Sequence, residues 1–151
     1  MRALVQRVSE AAVIAVDGQG AERETGRIGR GLLALVAFAP GDLSEALAGM
    51  AAKIIDLRLF PGPDGEFDQS LRELEGELLV VSQFTLYADA TKGRRPDFAN
   101  AASYGQAEHL YEIFCEHCQV EIPGRVATGD FGARMRVQLV NDGPVTLWLE
   151  R

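Results

Sequence analysis

The spacing of apolar residues alternates along the chain between that of strands and that of helices, and helical spacing occurs in two segments. In the first segment the apolar residues recur every three to four positions, at Leu43, Leu47, Met50, Ile54 and Leu57. The second segment runs from about Tyr104 to Cys118. Such spacing gives a helix one apolar face. We therefore predict two helices that each cover a sheet, the first of them capped by Asp42 or Ser44.

Strand patterns fill most of the remaining chain. The predicted strands are Leu4 to Val8, Val13 to Val16, Leu32 to Phe38, Leu78 to Tyr87, Arg134 to Val140 and Val145 to Leu149. Asp17-Gly18 predicts a turn and Pro61 to Gly65 predicts a loop. A length of 151 residues suits one hydrophobic core, and no linker or repeat divides it. The sequence thus predicts an α+β fold with a single domain over residues 1–151, in which antiparallel sheets form a barrel-like core and two main helices pack outside.

Composition and the N-terminal segment bear on location. Hydrophobic residues make up 47% of the chain and charged residues 25%, a balance typical of soluble globular proteins. No apolar run is long enough to span a bilayer. The segment Met1 to Arg7 contains neither a signal-peptide stretch nor a lipidation motif. We expect a cytoplasmic protein with no membrane partner.

The two cysteines, Cys115 and Cys118, have a spacing that suits a shared metal ion or a redox pair. Both also continue the apolar face of the second predicted helix, so we interpret them as core residues. A structural zinc ion needs four ligands, and the only histidines, His109 and His117, lie on the same helix. We expect no metal and no other cofactor.

The formal net charge of −7 disfavours a protein that coats long stretches of nucleic acid, and we expect no DNA partner. The one dense basic cluster is Lys92-Gly93-Arg94-Arg95. It can hold phosphates near the end of an RNA strand, or it can be an ordinary solvated loop.

Polar residues interrupt the predicted strand Leu78 to Tyr87 at its end. There the sequence reads Ser82-Gln83-Phe84-Thr85-Leu86-Tyr87. Alternation along a strand would place Ser82, Phe84 and Leu86 on one face and Gln83, Thr85 and Tyr87 on the other. The segment either presents hydroxyl, amide and phenol groups together as a site or is an ordinary strand end.

The last two predicted strands are separated by Asn141-Asp142-Gly143-Pro144. Asn, Asp and Gly favour the backbone angles of a turn. The residues alone predict a hairpin corner with a trans proline, because only about 5 to 6% of X-Pro bonds in folded proteins are cis.

No conventional catalytic motif accompanies these segments. The chain has no Gly-x-Ser-x-Gly elbow, no phosphate-binding glycine loop and no His-Glu-x-x-His. Both histidines fall in the second predicted helix, away from Ser82. A serine triad, nucleotide hydrolysis and zinc proteolysis therefore lack support from the sequence.

As a whole, however, the sequence resembles the bacterial-type D-aminoacyl-tRNA deacylase family over essentially its full length. Two signatures carry this resemblance, Ser82-Gln83-Phe84-Thr85-Leu86 and Gly143-Pro144-Val145-Thr146. Further stretches that look like the family are Met1 to Val8, Lys92 to Pro96, Thr128 to Ala133 and Leu139 to Pro144. Asp97 departs from the pattern, since a small hydroxyl residue is expected before Phe98.

The resemblance implies a hydrolase that cleaves the ester bond of D-aminoacyl-tRNA, and of mischarged glycyl-tRNA, in translation quality control. The implied catalytic segment is Ser82, Gln83, Phe84 and Thr85. Also implied is a homodimer in which a cis Gly143-Pro144 peptide enters the partner's site and rejects L-aminoacyl-tRNA with its backbone. Binding of the terminal adenine and of the tRNA 3′ end falls to Phe131, Met135, Lys92, Arg94 and Arg95.

Two alternatives stay open at this point. One is an editing enzyme of similar fold that removes L-amino acids or glycine, like the related domain attached to some threonyl-tRNA synthetases. The other is a non-catalytic dimeric protein that binds RNA ends through the basic loop.

Overall fold

The computed structural model describes all residues from Met1 to Arg151, and two long strands pair along most of its main sheet. The first of these, β1, runs without interruption over Arg2–Val16 and joins the two separate strands that the sequence predicts. The other elements, in chain order, are β2 (Glu22–Ile28), β3 (Gly31–Ala37), α1 (Ser44–Asp56), β4 (Arg58–Gly62), β5 (Gly65–Ser70), β6 (Glu77–Ser82), a one-turn 3-10 helix (Phe84–Tyr87), α2 (Tyr104–Glu121), β7 (Val126–Thr128) and β8 (Arg134–Glu150). No helix is both long and apolar enough to cross a membrane.

Strand β1 organises the main sheet. Its first half pairs with β3 and its second half with β2, while β8 pairs along its whole opposite edge. The sheet continues through β6 to β7, and the pairings β3–β6 and β6–β7 are parallel. The sheet curls back on itself, since a Cβ built on Gly26 of β2 would lie 2.7 Å from the carbonyl oxygen of Thr128 in β7.

This architecture confirms the predicted α+β fold, with a barrel-like sheet and two helices outside it. The parallel pairings of β6 were not foreseen, because a buried apolar run does not reveal the direction of its neighbours. Strands β2 and β7 were also missed, and β4 and β5 form a hairpin around the predicted loop Pro61 to Gly65.

The core lies on both faces of β6. Leu78 and Val80 belong to a large apolar cluster shared with both helices, whereas Leu79 and Val81 belong to a smaller cluster inside the curled sheet. Met135, Val137 and Leu139 of β8 pack against the smaller cluster, as alternation along the predicted strand Arg134 to Val140 requires. Burial of both faces explains why β6 reads as a continuous apolar run.

Two local predictions are wrong. Neither Asp42 nor Ser44 caps α1: the N-cap residue is Leu43, and Asp42 instead accepts hydrogen bonds from the Met1 amine (2.7 Å) and from the backbone N–H of Ala39 (2.8 Å). The strand that was predicted to reach Tyr87 ends at Ser82. The chain turns at Gln83 into the 3-10 helix, with hydrogen bonds from Leu86 N–H to the Gln83 carbonyl (3.1 Å) and from Ala88 N–H to the Thr85 carbonyl (3.0 Å). The alternating faces expected for residues 82–87 therefore do not exist.

Candidate active site

A cavity of about 480 Å³ opens where the parallel strands β3 and β6 end. Parallel strands bring their carboxyl ends to the same edge, so the residues that follow both strands meet there. The wall is mostly apolar and is formed by Val36, Ala37, Phe38, Val81, Ser82, Gln83, Phe84, Ala102, Tyr104, Ala107, Phe131, Gly132, Ala133, Met135 and Val137. This volume lies within the range of pockets that hold small ligands.

Part of the predicted catalytic segment lines this cavity. Ser82, Gln83 and Phe84 line it, but Thr85 does not. Gln83 is held at its backbone by a 2.7 Å hydrogen bond from its N–H to the carbonyl oxygen of Val36, and its side-chain amide donates to the Thr85 hydroxyl. The Thr85 side chain is exposed at the edge of the cavity.

Phe84 and Thr85 are the first residues of the 3-10 helix. Backbone N–H groups in the first turn of a helix have no acceptor inside that helix. Two main-chain donors are therefore available at the edge of the cavity.

Aromatic rings form another part of the wall. Phe131 is half-buried, and its ring centroid lies 5.4 Å from that of Tyr111 and 5.2 Å from that of Tyr104. Tyr111 anchors this group because its hydroxyl donates a 2.9 Å hydrogen bond to the Val80 carbonyl, and burial raises the pKa of its phenol. Met135, the second residue implied in adenine binding, lines the same cavity.

The basic cluster lies beside the cavity rather than inside it. Asp89 and Asp97 close its loop through two backbone hydrogen bonds of 2.8 Å, and Lys92, Arg94 and Arg95 are exposed and form no ion pair. Phe98, just after this bridge, contacts Phe84 with ring centroids 5.0 Å apart. The loop therefore adjoins the cavity wall and keeps three cations free.

Asp97, which departs from the family pattern, has a local role in this loop. Its carboxylate accepts a 2.8 Å hydrogen bond from the backbone N–H of Ala99. A short hydroxyl side chain can accept the same type of turn-forming bond, so the departure leaves the turn intact.

Gly143 and Pro144 do not line the cavity. They lie within β8, where the peptide bond between them is cis, and both are exposed. The pairing with β1 passes from Val8↔Asn141 to Gln6↔Thr146, so residues 142–145 stand opposite Arg7 alone. The predicted hairpin corner is thus wrong: the segment is a bulge in one continuous strand, which keeps its direction on both sides.

Arg7 contacts this bulge and is not among the residues that the sequence singled out. Its side chain is only 3% exposed. Nε donates to the Asp142 carbonyl (3.2 Å), Nη1 to the Leu59 carbonyl (2.8 Å) and Nη2 to the Glu66 carboxylate (2.7 Å). The sequence did contain a signal, since Arg7 occupies the face of β1 that Ala3 and Val5 bury, where alternation calls for an apolar residue.

The cysteines lie apart from the cavity. Cys118 is fully buried and Cys115 packs against the core, as predicted. Burial raises the pKa of the Cys115 thiol to about 12, which disfavours the thiolate form that metal binding and redox chemistry need. No three His, Cys, Asp or Glu side chains come together as a set of metal ligands.

The chain thus combines a curled α+β sheet, an apolar pocket with a cationic loop beside it, and a Gly-Pro bulge that lies outside the pocket. A sequence profile described as D-Tyr-tRNA(Tyr) deacylase matches residues 4–150. A protein of Herpetosiphon aurantiacus named D-aminoacyl-tRNA deacylase is 49% identical over 150 residues, which cover 99% of this chain and 94% of the relative. One of Dinoroseobacter shibae with the same name is also 49% identical, over 99% of both chains. The chain belongs to the D-Tyr-tRNA(Tyr) deacylase family.

Two solved structures share the fold. A protein named c-Myc DNA Unwinding Element Binding Protein superposes with a TM-score of 0.90 at 39% identity, over 100% of this chain and 99% of that chain. A structure described as a probable eukaryotic D-amino acid tRNA deacylase superposes with a TM-score of 0.82 at 23% identity, over 98% and 97% of the two chains, which shows a shared fold. The family predicted from the sequence, and with it the class of enzyme, is confirmed.

Proposed function

We propose that this protein hydrolyses the ester bond that joins a D-amino acid to the 3′ end of tRNA, releasing the amino acid and the tRNA. One observation carries the proposal beyond the family: Ser82, Gln83, Phe84, Phe131 and Met135, distant in sequence, line one cavity. The cavity suits an aminoacylated nucleoside, since its polar edge can meet the ester and its aromatic wall can meet a base.

The cavity wall contains no carboxylate, histidine or lysine, and its one titratable side chain is that of Tyr104. A general base from the protein is therefore absent from the wall. The 2′-hydroxyl of the terminal ribose, next to the ester, can assist the attack of water on the carbonyl carbon. The carbon–oxygen bond to the ribose 3′ oxygen then breaks, and that oxygen leaves as a hydroxyl.

Polarisation of the ester carbonyl falls to the backbone N–H groups of Phe84 and Thr85. Main-chain donors that are fixed before the reaction stabilise a developing oxyanion without reorganisation. The Thr85 hydroxyl, which accepts a hydrogen bond from the Gln83 amide, positions the water or the ribose rather than attacking the ester.

Chirality is read by the partner subunit of a homodimer. The Gly143–Pro144 bulge is exposed, lies outside the cavity of its own chain and is fixed by buried Arg7. Inserted into the cavity of a second copy, its carbonyl oxygens can face the substrate α-carbon with room for a hydrogen but not for an L side chain. Because no protein group grips the amino acid's own side chain, many D-amino acids and glycine enter.

The tRNA end is held outside this reacting centre. Phe131 and Met135 accommodate the terminal adenine, and Lys92, Arg94 and Arg95 meet phosphates of the 3′ strand. In a chain with a net charge of −7, these contacts serve a short strand end rather than a long nucleic acid.

The function is tested by assaying D-Tyr-tRNA, Gly-tRNA and L-Tyr-tRNA side by side. Cleavage of the first two alone is expected. Cleavage of L-Tyr-tRNA would favour the L-editing alternative, and binding without cleavage of any substrate would favour the RNA-end-binding alternative.

The catalytic account is tested with D-Tyr-tRNA whose terminal ribose carries hydrogen in place of the 2′-hydroxyl. We expect the rate to fall by about 100-fold or more, the range of a positioned acid–base group, with binding retained. An unchanged rate would show that the group lies in the protein.

The dimer is tested by co-expressing two variants with different tags: Gly143→Trp, whose bulky side chain should block the partner's cavity, and Phe84→Pro, which removes one of the two N–H donors, so that each is inactive alone. If the Gly143–Pro144 bulge of one subunit completes the cavity of the other, each hybrid dimer holds one intact site. Hybrids make up about half of the dimers, so about a quarter of the wild-type activity returns. Hybrid dimers that form without regaining activity would place both elements in the same chain.

A further inference from the structure

One aromatic side chain of the cavity has no role in the account above. Tyr104 is the first residue of α2 and lines the cavity, yet its side chain is 63% exposed. Phe84, which lines the same cavity, is 56% exposed. Both rings line the same cavity, and exposed apolar side chains grouped at a pocket mark a surface that can receive a ligand.

The Tyr104 ring is held by contacts with two residues. It packs edge-on against Phe131, with ring centroids 5.2 Å apart and an interplanar angle of 70°. Its hydroxyl lies over Gly132, where a Cβ would collide with it. Gly132 has a φ of +76°, which favours glycine on backbone grounds as well. The ring is thus held at the opening while much of its surface stays in solvent.

Tyr111, Phe131 and Tyr104 form an aromatic row that leads from the core to the surface. Tyr111 is 5% exposed, Phe131 is half-buried and Tyr104 is the outermost member. A cavity of about 480 Å³ accommodates one aminoacylated nucleoside, so the preceding nucleotide of the strand must lie at the opening. Tyr104 is the next aromatic residue toward the solvent from Phe131, whose ring meets the terminal base in the proposed function.

We propose that Tyr104 is a further substrate-binding residue, whose ring stacks on the nucleobase that precedes the terminal nucleoside. This inference rests on the proposed function and adds a second base contact to it. Stacking on an exposed ring is tolerant of base identity, because every base has an aromatic face. The contact serves binding of the RNA strand and not the ester chemistry.

The test compares two substrates in single-turnover reactions: D-Tyr-tRNA and the 3′ D-tyrosyl ester of adenosine, which lacks the preceding nucleotide. Tyr104→Ala is expected to raise the half-saturating concentration of D-Tyr-tRNA about tenfold, as loss of one base stack does, with the maximal rate unchanged. The adenosine ester should show no shift. Tyr104→Phe keeps the ring and should behave as the wild type.

Val120→Ala is the matched control, because Val120 lies near the other end of α2 and is 76% exposed. It should alter neither substrate. Thermal unfolding checks that Tyr104→Ala keeps the wild-type stability.

Three results would overturn the inference: equal shifts for both substrates, no shift for either, or a loss in Tyr104→Phe as large as that in Tyr104→Ala. Failure of the proposed function is separate, since the wild type itself would then leave D-Tyr-tRNA intact.

Discussion

Arg7 Nε donates a 3.2 Å hydrogen bond to the carbonyl oxygen of Asp142, across the point where β8 bulges away from β1. The same guanidinium reaches the Leu59 carbonyl and the Glu66 carboxylate, so one buried cation joins β1, the β4–β5 hairpin and the bulge. Gly143 follows Asp142 directly and has a φ of +117°. The position of the proposed chirality filter therefore depends on a residue that lies outside both family signatures.

Replacement of Arg7 tests that dependence. Arg7→Met removes all three hydrogen bonds and leaves the buried Leu59 carbonyl without this donor, so we expect unfolding to require about 1 to 3 kcal/mol less, measured in urea. We also expect the ratio of D- to L-Tyr-tRNA cleavage to fall. Arg7→Lys should lose a comparable part of that ratio, because one ammonium cannot reach three acceptors in the geometry of a guanidinium.

The control for Arg7 is Arg27→Met, since Arg27 is exposed and pairs only with Glu24 three residues away. It should leave the urea midpoint and the substrate ratio almost unchanged. An Arg7→Met variant that is destabilised but keeps its full substrate ratio would remove Arg7 from the chirality account.

Thr85→Ala tests the chemical role of the hydroxyl. A positioning hydroxyl accounts for a loss in kcat of about tenfold, whereas loss of a nucleophile or general base costs about 100-fold or more. Thr85→Ser retains the hydroxyl and should stay near wild-type activity. Near-complete loss of turnover in Thr85→Ala, with tRNA still bound, would instead favour a nucleophilic Thr85.

The basic loop is tested by the salt dependence of binding. Each phosphate contact on a single strand contributes about −0.7 to the slope of log K against log salt. Lys92→Gln should reduce the magnitude of the slope for tRNA by about that amount. Lys53→Gln makes the same charge change on the exposed side of α1 and should leave the slope alone; equal slopes for the two variants would show that the loop does not meet the RNA.

The thiol of Cys115 should be inert in the folded protein. Burial raises the pKa of this thiol to about 12. The thiolate is the reactive form, and it is scarce until the pH nears 12. Iodoacetamide at pH 8 should label native protein slowly and urea-unfolded protein at both cysteines. Rapid labelling of the native protein would reopen the metal and redox interpretations.

Residue patterns predicted the elements that bury one face or both. The helices α1 and α2 and the inward side chains of β8 follow from periodicity, because burial there depends on local spacing. Strand β2, rich in charged residues, has no such pattern, and it forms because it pairs with the second half of β1. The helical turn at Phe84–Tyr87 was missed because its residues have good strand propensity, which tertiary context overrides.

The site was predictable only in part from the residues themselves. Ser82 drew attention as a polar residue in an apolar strand, and it does line the cavity. Gly143 and Pro144 predicted a corner, and only the resemblance to the family gave them a function. The interest of Arg7 comes from its contact with Asp142, and that of Tyr104 from its contact with Gly132. The residues of each pair are more than 25 positions apart in the sequence, so such contacts are visible only in the folded chain.

The most direct test of the account is the ratio of kcat/KM for D-Tyr-tRNA and L-Tyr-tRNA, measured for the wild type and for Gly143→Ala. We predict a wild-type ratio of at least about 100, equivalent to roughly 2.7 kcal/mol of discrimination. Gly143→Ala should lower it, since its Cβ would lie 2.8 Å from Arg7 Nη2 and 3.1 Å from the backbone nitrogen of Val145, at a φ of +117°. Gly18→Ala, which meets nothing within 4 Å, should not. Comparable cleavage of both substrates by the wild type, or a ratio that Gly143→Ala leaves intact, would contradict a filter built from this backbone.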